Sequence, residues 1–381
     1  MKKKILTGFS YLLVAVLASA VTFGVVWWQG ELSKLEQLKG LIDQCFIEEV
    51  DIREVEDAAA DAMIKATGDR WAYYIPQNEM AAHKETSENA YVGIGITITV
   101  AHDGDGLQIM SVNPGSSAEE AGLQADDVIT AIEGQSASGM TTTEARNLVR
   151  GKEGTQVSIT YRRGGQTHTV SVTRRMVQVA VATAQLLEEN IGLITIANFD
   201  DRCANETIAC IEELMAQGAE SLIFDVRGNP GGYAHELVAL LDYLLPEGEL
   251  FRTVDYTGKE SVDYSDADYL DIPMAVLVNG DSYSAAEFFA AALQEYEAAV
   301  IVGEKTTGKG YFQNLFYLTD GSGAAISTGK YFTPKGVSLE GVGIQPDVMV
   351  PVDGETAIKI YYGTLPRDED SQLDAAVEAL K

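Results

Sequence analysis

Pro273-Met274-Ala275-Val276-Leu277-Val278 leads into Asn279-Gly280-Asp281-Ser282-Tyr283, and then into Ser284-Ala285-Ala286-Glu287 at the head of a segment that runs to Tyr296. The first part reads as a buried strand, the second as a short turn, and Ser284–Tyr296 as a helix. Ser284 therefore opens a helix directly after a strand. The same alternation extends to both sides. Ile191–Ala197 reads as a strand, Cys203–Ala216 as an amphipathic helix, Ser221–Val226 as a buried strand, Ala234–Leu245 as a helix and Val300–Gly303 as a strand. Short strands follow at Asn314–Thr319, Gly323–Thr328 and Lys330–Thr333. Strands alternating with helices predict a layered α/β domain over residues 176–355. The tail, residues 356–381, ends in one more amphipathic helix, Asp370–Leu380.

Taken alone, Ser284 is an ordinary helix-capping serine. Lys309 changes its meaning. It lies 25 positions later in Gly303-Glu304-Lys305-Thr306-Thr307-Gly308-Lys309-Gly310, with Gln313 four residues beyond. Serine and lysine together supply a nucleophile and a base without histidine, and none of the four histidines lies in these segments. A helix N-terminus favours the negative charge of such a reaction, and the Ala285 N–H is placed to meet an oxyanion. As a base, Lys309 must lose its proton near neutral pH, which takes about 4 kcal/mol of differential stabilisation and points to burial. Gln313 is suited to hold the amine in position. The segment nearly matches a phosphate-binding loop, but Gly310 stands where that motif needs Ser or Thr for magnesium.

Asp225-Val226-Arg227-Gly228-Asn229-Pro230-Gly231-Gly232 ends a buried strand in a glycine turn, the kind of turn that aims an N–H into the crevice at a strand's carboxyl end. Gly231 or Gly232 is the expected second oxyanion donor, with Asp225 and Arg227 bracing the loop. His235 offers a Ser–His alternative, which ranks lower because no obvious carboxylate motif accompanies it.

Residues 91–175 form a separate β-rich region. Tyr91–Val100 alternates as a strand. Val112-Asn113-Pro114-Gly115-Ser116-Ser117-Ala118 starts a turn and short helix, Asp126–Gly134 is turn, strand and turn, and Thr142–Val149 is a capped helix. Gly154–Tyr161 and Thr167–Thr173 read as a hairpin turning near Gly164-Gly165. This region resembles a PDZ domain. The resemblance implies that the loop Gly93-Ile94-Gly95-Ile96 offers backbone N–H groups to a peptide's C-terminal carboxylate, the peptide adding as a β-strand.

Together these segments resemble the carboxyl-terminal processing peptidases, or tail-specific proteases. Asp225–Gly232 looks like that family's Asp-x-Arg-x-Asn-x-Gly-Gly element, Ser284-Ala285-Ala286-Glu287 like its nucleophile element, and Val302–Gly310 with Gln313 like its lysine element. Tyr331-Phe332-Thr333-Pro334-Lys335-Gly336 and Gly341-Val342-Gly343-Ile344-Gln345-Pro346-Asp347 look like the signature that follows. Tyr283 stands where a small residue is typical and Ala286 where Ser is common, which bears on the shape of the substrate pocket. The resemblance implies a crotonase/ClpP-like α/β core with an inserted PDZ domain, Ser–Lys endopeptidase chemistry without metal or cofactor, and protein substrates bearing a free C-terminus. A catalytically silent PDZ scaffold and a peptidase gated by movement of the PDZ domain are the competing expectations.

The 381 residues carry a net charge of −30, which excludes a nucleic-acid partner because a phosphate backbone would be repelled. Met1-Lys2-Lys3-Lys4 precedes an uncharged stretch, Ile5–Trp28, long enough to cross a hydrocarbon core of ~30 Å. Residues 1–30 are thus expected to anchor the chain in a bacterial-type cell membrane, with the lysines inside and the catalytic part outside. The alternative is a secreted protein, with Ala18-Ser19-Ala20 as a cleavage site. Residues 31–90 read as a helical arm that joins the span to the rest and offers a surface for homo-oligomerisation. Cys45, Cys203 and Cys210 show neither metal nor disulfide spacing and read as buried thiols.

Overall fold

The structure, a computed structural model, describes residues 33–101 and 104–381. No helix among them is long and apolar enough to cross a membrane. The expected span Ile5–Trp28 lies outside the described residues. The chain divides into two units, one reaching to Gln77 and including Leu315–Ile326, the other made of Asn78–Asn314 with Ser327–Lys381.

In the first unit the arm holds two helices, Lys34–Cys45 and Ile52–Lys65, and then a short strand, Tyr73–Ile75, which pairs antiparallel with Gly323–Ala325. The sequence predicted helix throughout this region. Three residues carry too little periodicity to announce a strand, and only pairing fixes it. Ser33 caps the first helix through a reciprocal bond with Glu36. The apolar stripe of that helix, Leu35, Leu38 and Leu41, is exposed. Cys45 is also exposed and Cys210 only half-buried, so of the three thiols only Cys203 is fully buried as expected.

The second unit is centred on a six-stranded sheet: Ala182–Leu186, Ile191–Ile196, Ser221–Asp225, Met274–Val278, Ala299–Gly303 and Val348–Met349, in that order. The first pair is antiparallel and the rest are parallel. Every residue of Met274–Val278 is buried, as a strand covered on both faces requires. Helices Cys203–Ala216, Ala234–Leu244 and Ala285–Glu295 pack on one face, and the last helix, Ser371–Ala379, on the other. Helix Ala285–Glu295 is buried almost all round and is anchored by Phe289, whose ring meets Phe224 edge-on at 5.4 Å. Gly248–Asp255 and Glu260–Ser265 form an antiparallel hairpin beside this core, and residues 329–332 pair with its first strand.

The β-rich region within the same unit is a sheet in the order Ile96–Val100, Leu107–Val112, Val128–Ile132, Gln156–Arg163, Gln166–Thr173, with Gln135–Ser136 paired to the third. Its own apolar core gathers Ile94, Leu107, Ile109, Ile129, Ile132, Val157 and Ile159. The chain enters as Ala90–Gly93 and leaves as Arg175–Gln178, two segments that pair with each other. Beyond that ribbon, Asn89 bonds Asn198 and Asp200, and Arg202 bonds the Val179 carbonyl, tying the entry and exit to the core.

Candidate active site

Ser284 sits at the turn between strand Met274–Val278 and helix Ala285–Glu295 with φ 59° and ψ −126°. A non-glycine residue reaches that region only when its surroundings hold it there. Sharp strand-to-helix turns of this kind present nucleophilic serines. Ser282 secures the turn: its hydroxyl donates to the Val226 carbonyl at 2.7 Å and accepts from the Asn279 N–H at 3.0 Å.

Glu287 binds this turn to the lysine segment. Its buried carboxylate accepts the Ser284 N–H at 3.0 Å and the Lys309 N–H at 2.8 Å on the same oxygen, Oε2. Its Oε1 accepts the Gly308 N–H at 2.7 Å and the Thr306 hydroxyl. Burial pushes this carboxyl above its ordinary value, and the four donors only partly offset that. The nucleophile and lysine segments are thus one hydrogen bond away from a common atom. Lys309 is half-buried, and its Nζ stands 5.8 Å from the ring centroid of Tyr283, the residue before the serine. Because Glu287 takes the N–H groups of Gly308 and Lys309, these amides do not cradle a phosphate. Gln313 donates from its amide nitrogen to Ser327 Oγ at 2.9 Å and to the Tyr311 carbonyl at 3.2 Å.

The glycine turn packs directly on the nucleophile. Gly231 has φ +86°, and a Cβ placed there would stand 2.7 Å from both Ala285 N and Ser284 Cβ. Only glycine permits that approach. The Gly231 N–H donates to Asn229 Oδ1 at 2.8 Å, so it is engaged in this conformation. The N–H groups of Gly232 and Ala285 have no acceptor among the described residues. Asn229 also reaches back to the Ile196 carbonyl at 2.8 Å, and its own carbonyl accepts the Tyr283 N–H at 3.1 Å.

Arg227 forks between Asp225, at 2.9 and 2.7 Å, and Asp370, which caps the last helix, at 3.0 and 2.8 Å. Burial pushes the Asp370 carboxyl up, but the Arg227 hydrogen bonds and charge outweigh it and hold the group below its ordinary value. His235 is two-thirds exposed, with Asp201 at 3.9 Å and Glu236 at 3.5 Å. The structure therefore gives it the carboxylate neighbours that the sequence did not suggest, but at the surface.

Sequence reasoning assigned no role to Glu287, Asn229, Asn279, Ser282 or Thr306. For Glu287 a signal existed: Ser284-x-x-Glu287 has the spacing of a capping box. Ser282 and Asn229 also reach the carbonyls of Val226 and Ile196, and Thr306 the Glu287 carboxylate, partners distant in sequence that no local pattern reveals.

A second candidate site is the groove between strand Ile96–Val100 and helix Thr142–Val149, about 330 Å³ in volume and floored by Ile94, Ile96, Ile98 and Val149. That strand is the edge of its sheet. Carbonyls of Ile94 and Gly95 accept from Ala118 at 3.0 Å and Asn113 at 2.9 Å. Each carbonyl shares a planar trans peptide with the next N–H, so the Gly95 and Ile96 N–H groups point the other way. Gly93, Ile94, Gly95 and Ile96 all line the groove.

Comparison with known proteins agrees with this geometry. Residues 190–350 match Peptidase family S41, and residues 108–163 match the PDZ domain. The carboxy-terminal processing protease CtpA of Bacillus subtilis (strain 168) is 32% identical, covering 91% of this chain and 78% of that protein. The carboxyl-terminal-processing protease of Picosynechococcus sp. is 33% identical, covering 89% of this chain and 83% of its own length. A solved structure from Bacteroides fragilis NCTC 9343, labelled an S41 protease, superposes with a TM-score of 0.52 at 17% identity, covering 84% of this chain and 89% of that one, a likeness of fold alone. The chain belongs to the carboxyl-terminal processing proteases of peptidase family S41, with a PDZ domain.

Proposed function

We propose that this protein is a serine endopeptidase that captures the C-terminal tails of proteins in its PDZ groove and cleaves them by Ser–Lys acyl transfer. The observation that carries the reading is the shared Glu287 oxygen, which holds the Ser284 and Lys309 backbones at one point. Ser284 Oγ attacks the scissile carbonyl carbon and gives its proton to Lys309 Nζ. The tetrahedral intermediate collapses as that proton passes to the leaving amine. Water then attacks the acyl-enzyme and gives a proton to Lys309, which passes it to Ser284 Oγ as the ester bond breaks and the acid is released. Gln313 orients the amine: Ser327 and Tyr311 occupy its amide nitrogen, which leaves Oε1 to accept from Lys309. Ala285 and Gly232 donate to the oxyanion. Gly231 joins them only by releasing Asn229. Asp225 and Arg227 brace the turn through Asp370.

The parallel strands with helices on both faces support the crotonase/ClpP-like architecture for the core. We place the catalytic part outside a bacterial-type cell membrane, held by Ile5–Trp28, and assign the exposed leucine stripe of helix Lys34–Cys45 to pairing with a second copy. Ser284→Ala and Lys309→Ala are each expected to lower cleavage of an unfolded protein with a free C-terminus by at least ~10³-fold. Wild-type cleavage by either variant would refute the mechanism. If instead the native protein cleaves nothing and resists a serine-reactive probe, the chain is a PDZ scaffold.

A further inference from the structure

Two arginines face the PDZ groove, and they differ in what they already bind. Arg150 ends the groove helix, pairs with Glu85 at 3.4 Å and lies 4.6 Å over the Tyr91 ring. Arg146, one turn earlier, lines the groove and donates to Thr143 Oγ1 at 3.3 Å, but meets no carboxylate among the described residues. In a chain of net charge −30, with 57 acidic side chains against 27 basic ones, that is a conspicuous omission. A guanidinium left without a carboxylate beside an apolar groove favours an acidic ligand group.

Its place along the groove specifies which group. Arg150 over Tyr91 puts the end of the helix beside the Gly93–Ile96 loop, where the terminal carboxylate would sit. Arg146 is four residues back, about 6 Å along the helix. Two residues of an extended peptide span about 7 Å, and alternate side chains face the same side. The residue opposite Arg146 is therefore the third from the C-terminus, on the same side as the last.

We propose that Arg146 makes this groove selective for tails with aspartate or glutamate at the third position from the C-terminus. This rests on reading the groove as a tail-binding site. The test is fluorescence anisotropy on the full chain carrying Ser284→Ala, with short labelled peptides that end in an apolar residue and differ only in Glu, Gln or Lys at the third position from the end. An amidated Glu peptide serves as control. The Glu peptide is expected to bind about tenfold more tightly than the Lys peptide, a margin that shrinks at high salt. Arg146→Gln is expected to abolish the preference and Arg146→Glu to invert it. Arg146 is exposed, so neither change removes a core side chain. Equal binding of the three peptides, or a preference unchanged in Arg146→Glu, overturns the proposal while leaving tail capture standing. If free-carboxylate peptides bind no better than the amidated one, tail capture fails and this proposal fails with it.

Discussion

Glu287 and Gly231 set the local geometry of the candidate site, and Glu287 is not proposed to touch the bond that is cut. Glu287→Ala leaves the N–H groups of Ser284, Gly308 and Lys309 without their acceptor, each worth roughly 1–3 kcal/mol when buried. The expected result is a fall in kcat of at least ~10²-fold, together with faster hydrogen exchange at residues 308–309. Wild-type turnover in that variant would show that the carboxylate holds nothing the reaction needs. Gly231→Ala would set a methyl group 2.7 Å from Ser284 Cβ, at a φ that L-residues avoid. It is expected to unfold at lower denaturant by about 2–4 kcal/mol and to lose activity. Gly228→Ala, at φ +71° but with only Tyr361 at 4.0 Å, should cost about 1 kcal/mol and keep most turnover. Equal effects at the two glycines would contradict the close approach. Ser284 and Lys309 stand out as candidates in the sequence because one opens a helix directly after a strand and the other lies between two glycines. Glu287 was legible only in part: the capping-box spacing announces its bond to the Ser284 N–H, but the Gly308 and Lys309 amides reach it only in the fold.

Among the elements, the buried parallel strands and their helices were readable because continuous apolar runs and helical periodicity survive unbroken in them. The edges were not. Hairpin Gly248–Asp255 and Glu260–Ser265 escaped notice because a register shift between Glu249 and Phe251 breaks the two-residue period where it buries its apolar side chains. Tyr91–Val100 was expected as one strand, but Gly95, at φ +80°, divides it into Ala90–Gly93 and Ile96–Val100. Gly323–Phe332 was expected as two strands, yet it runs straight through Gly329, where the missing side chain makes room for the Phe312 ring. The last helix was foreseen, but not its tie to the glycine turn through Asp370 and Arg227. Asp370 is held below its ordinary value in the fold, so its contribution is fully present above the ordinary carboxylate range and is lost as pH falls through the lower folded value. Asp370→Ala should lower stability near neutral pH by about 3 kcal/mol and flatten the decline of Tm below about pH 4. Melting curves of both proteins that fall in parallel with acid would contradict this.

On the scale of the whole molecule, the PDZ groove and the proposed Ser–Lys site lie in one unit, joined by the short ribbon of Ala90–Gly93 with Arg175–Gln178. Asn89 beside that ribbon bonds Asn198 and Asp200, and Phe199 between them exchanges backbone bonds with Gly231 and Tyr233 at 2.9 and 2.7 Å. Hydrogen bonds, joined by the backbone of Asn198–Asp200, thus link the ribbon to the glycine turn. The order of domains was legible because each carries its own motifs. This link was not, because Asn89 lies more than a hundred residues from Asn198 and Asp200, and Phe199 bonds the glycine turn through backbone groups alone. The account stands or falls on Ser284 and Lys309 acting as one unit. The most direct measurement is the rate at which the wild type, Ser284→Ala, Lys309→Ala and the double variant cleave one unfolded protein. The expected result is that both single variants and the double variant share the same floor, at least ~10³-fold below wild type. A Lys309→Ala protein that cleaves at the wild-type rate, or a double variant far below either single one, would contradict it.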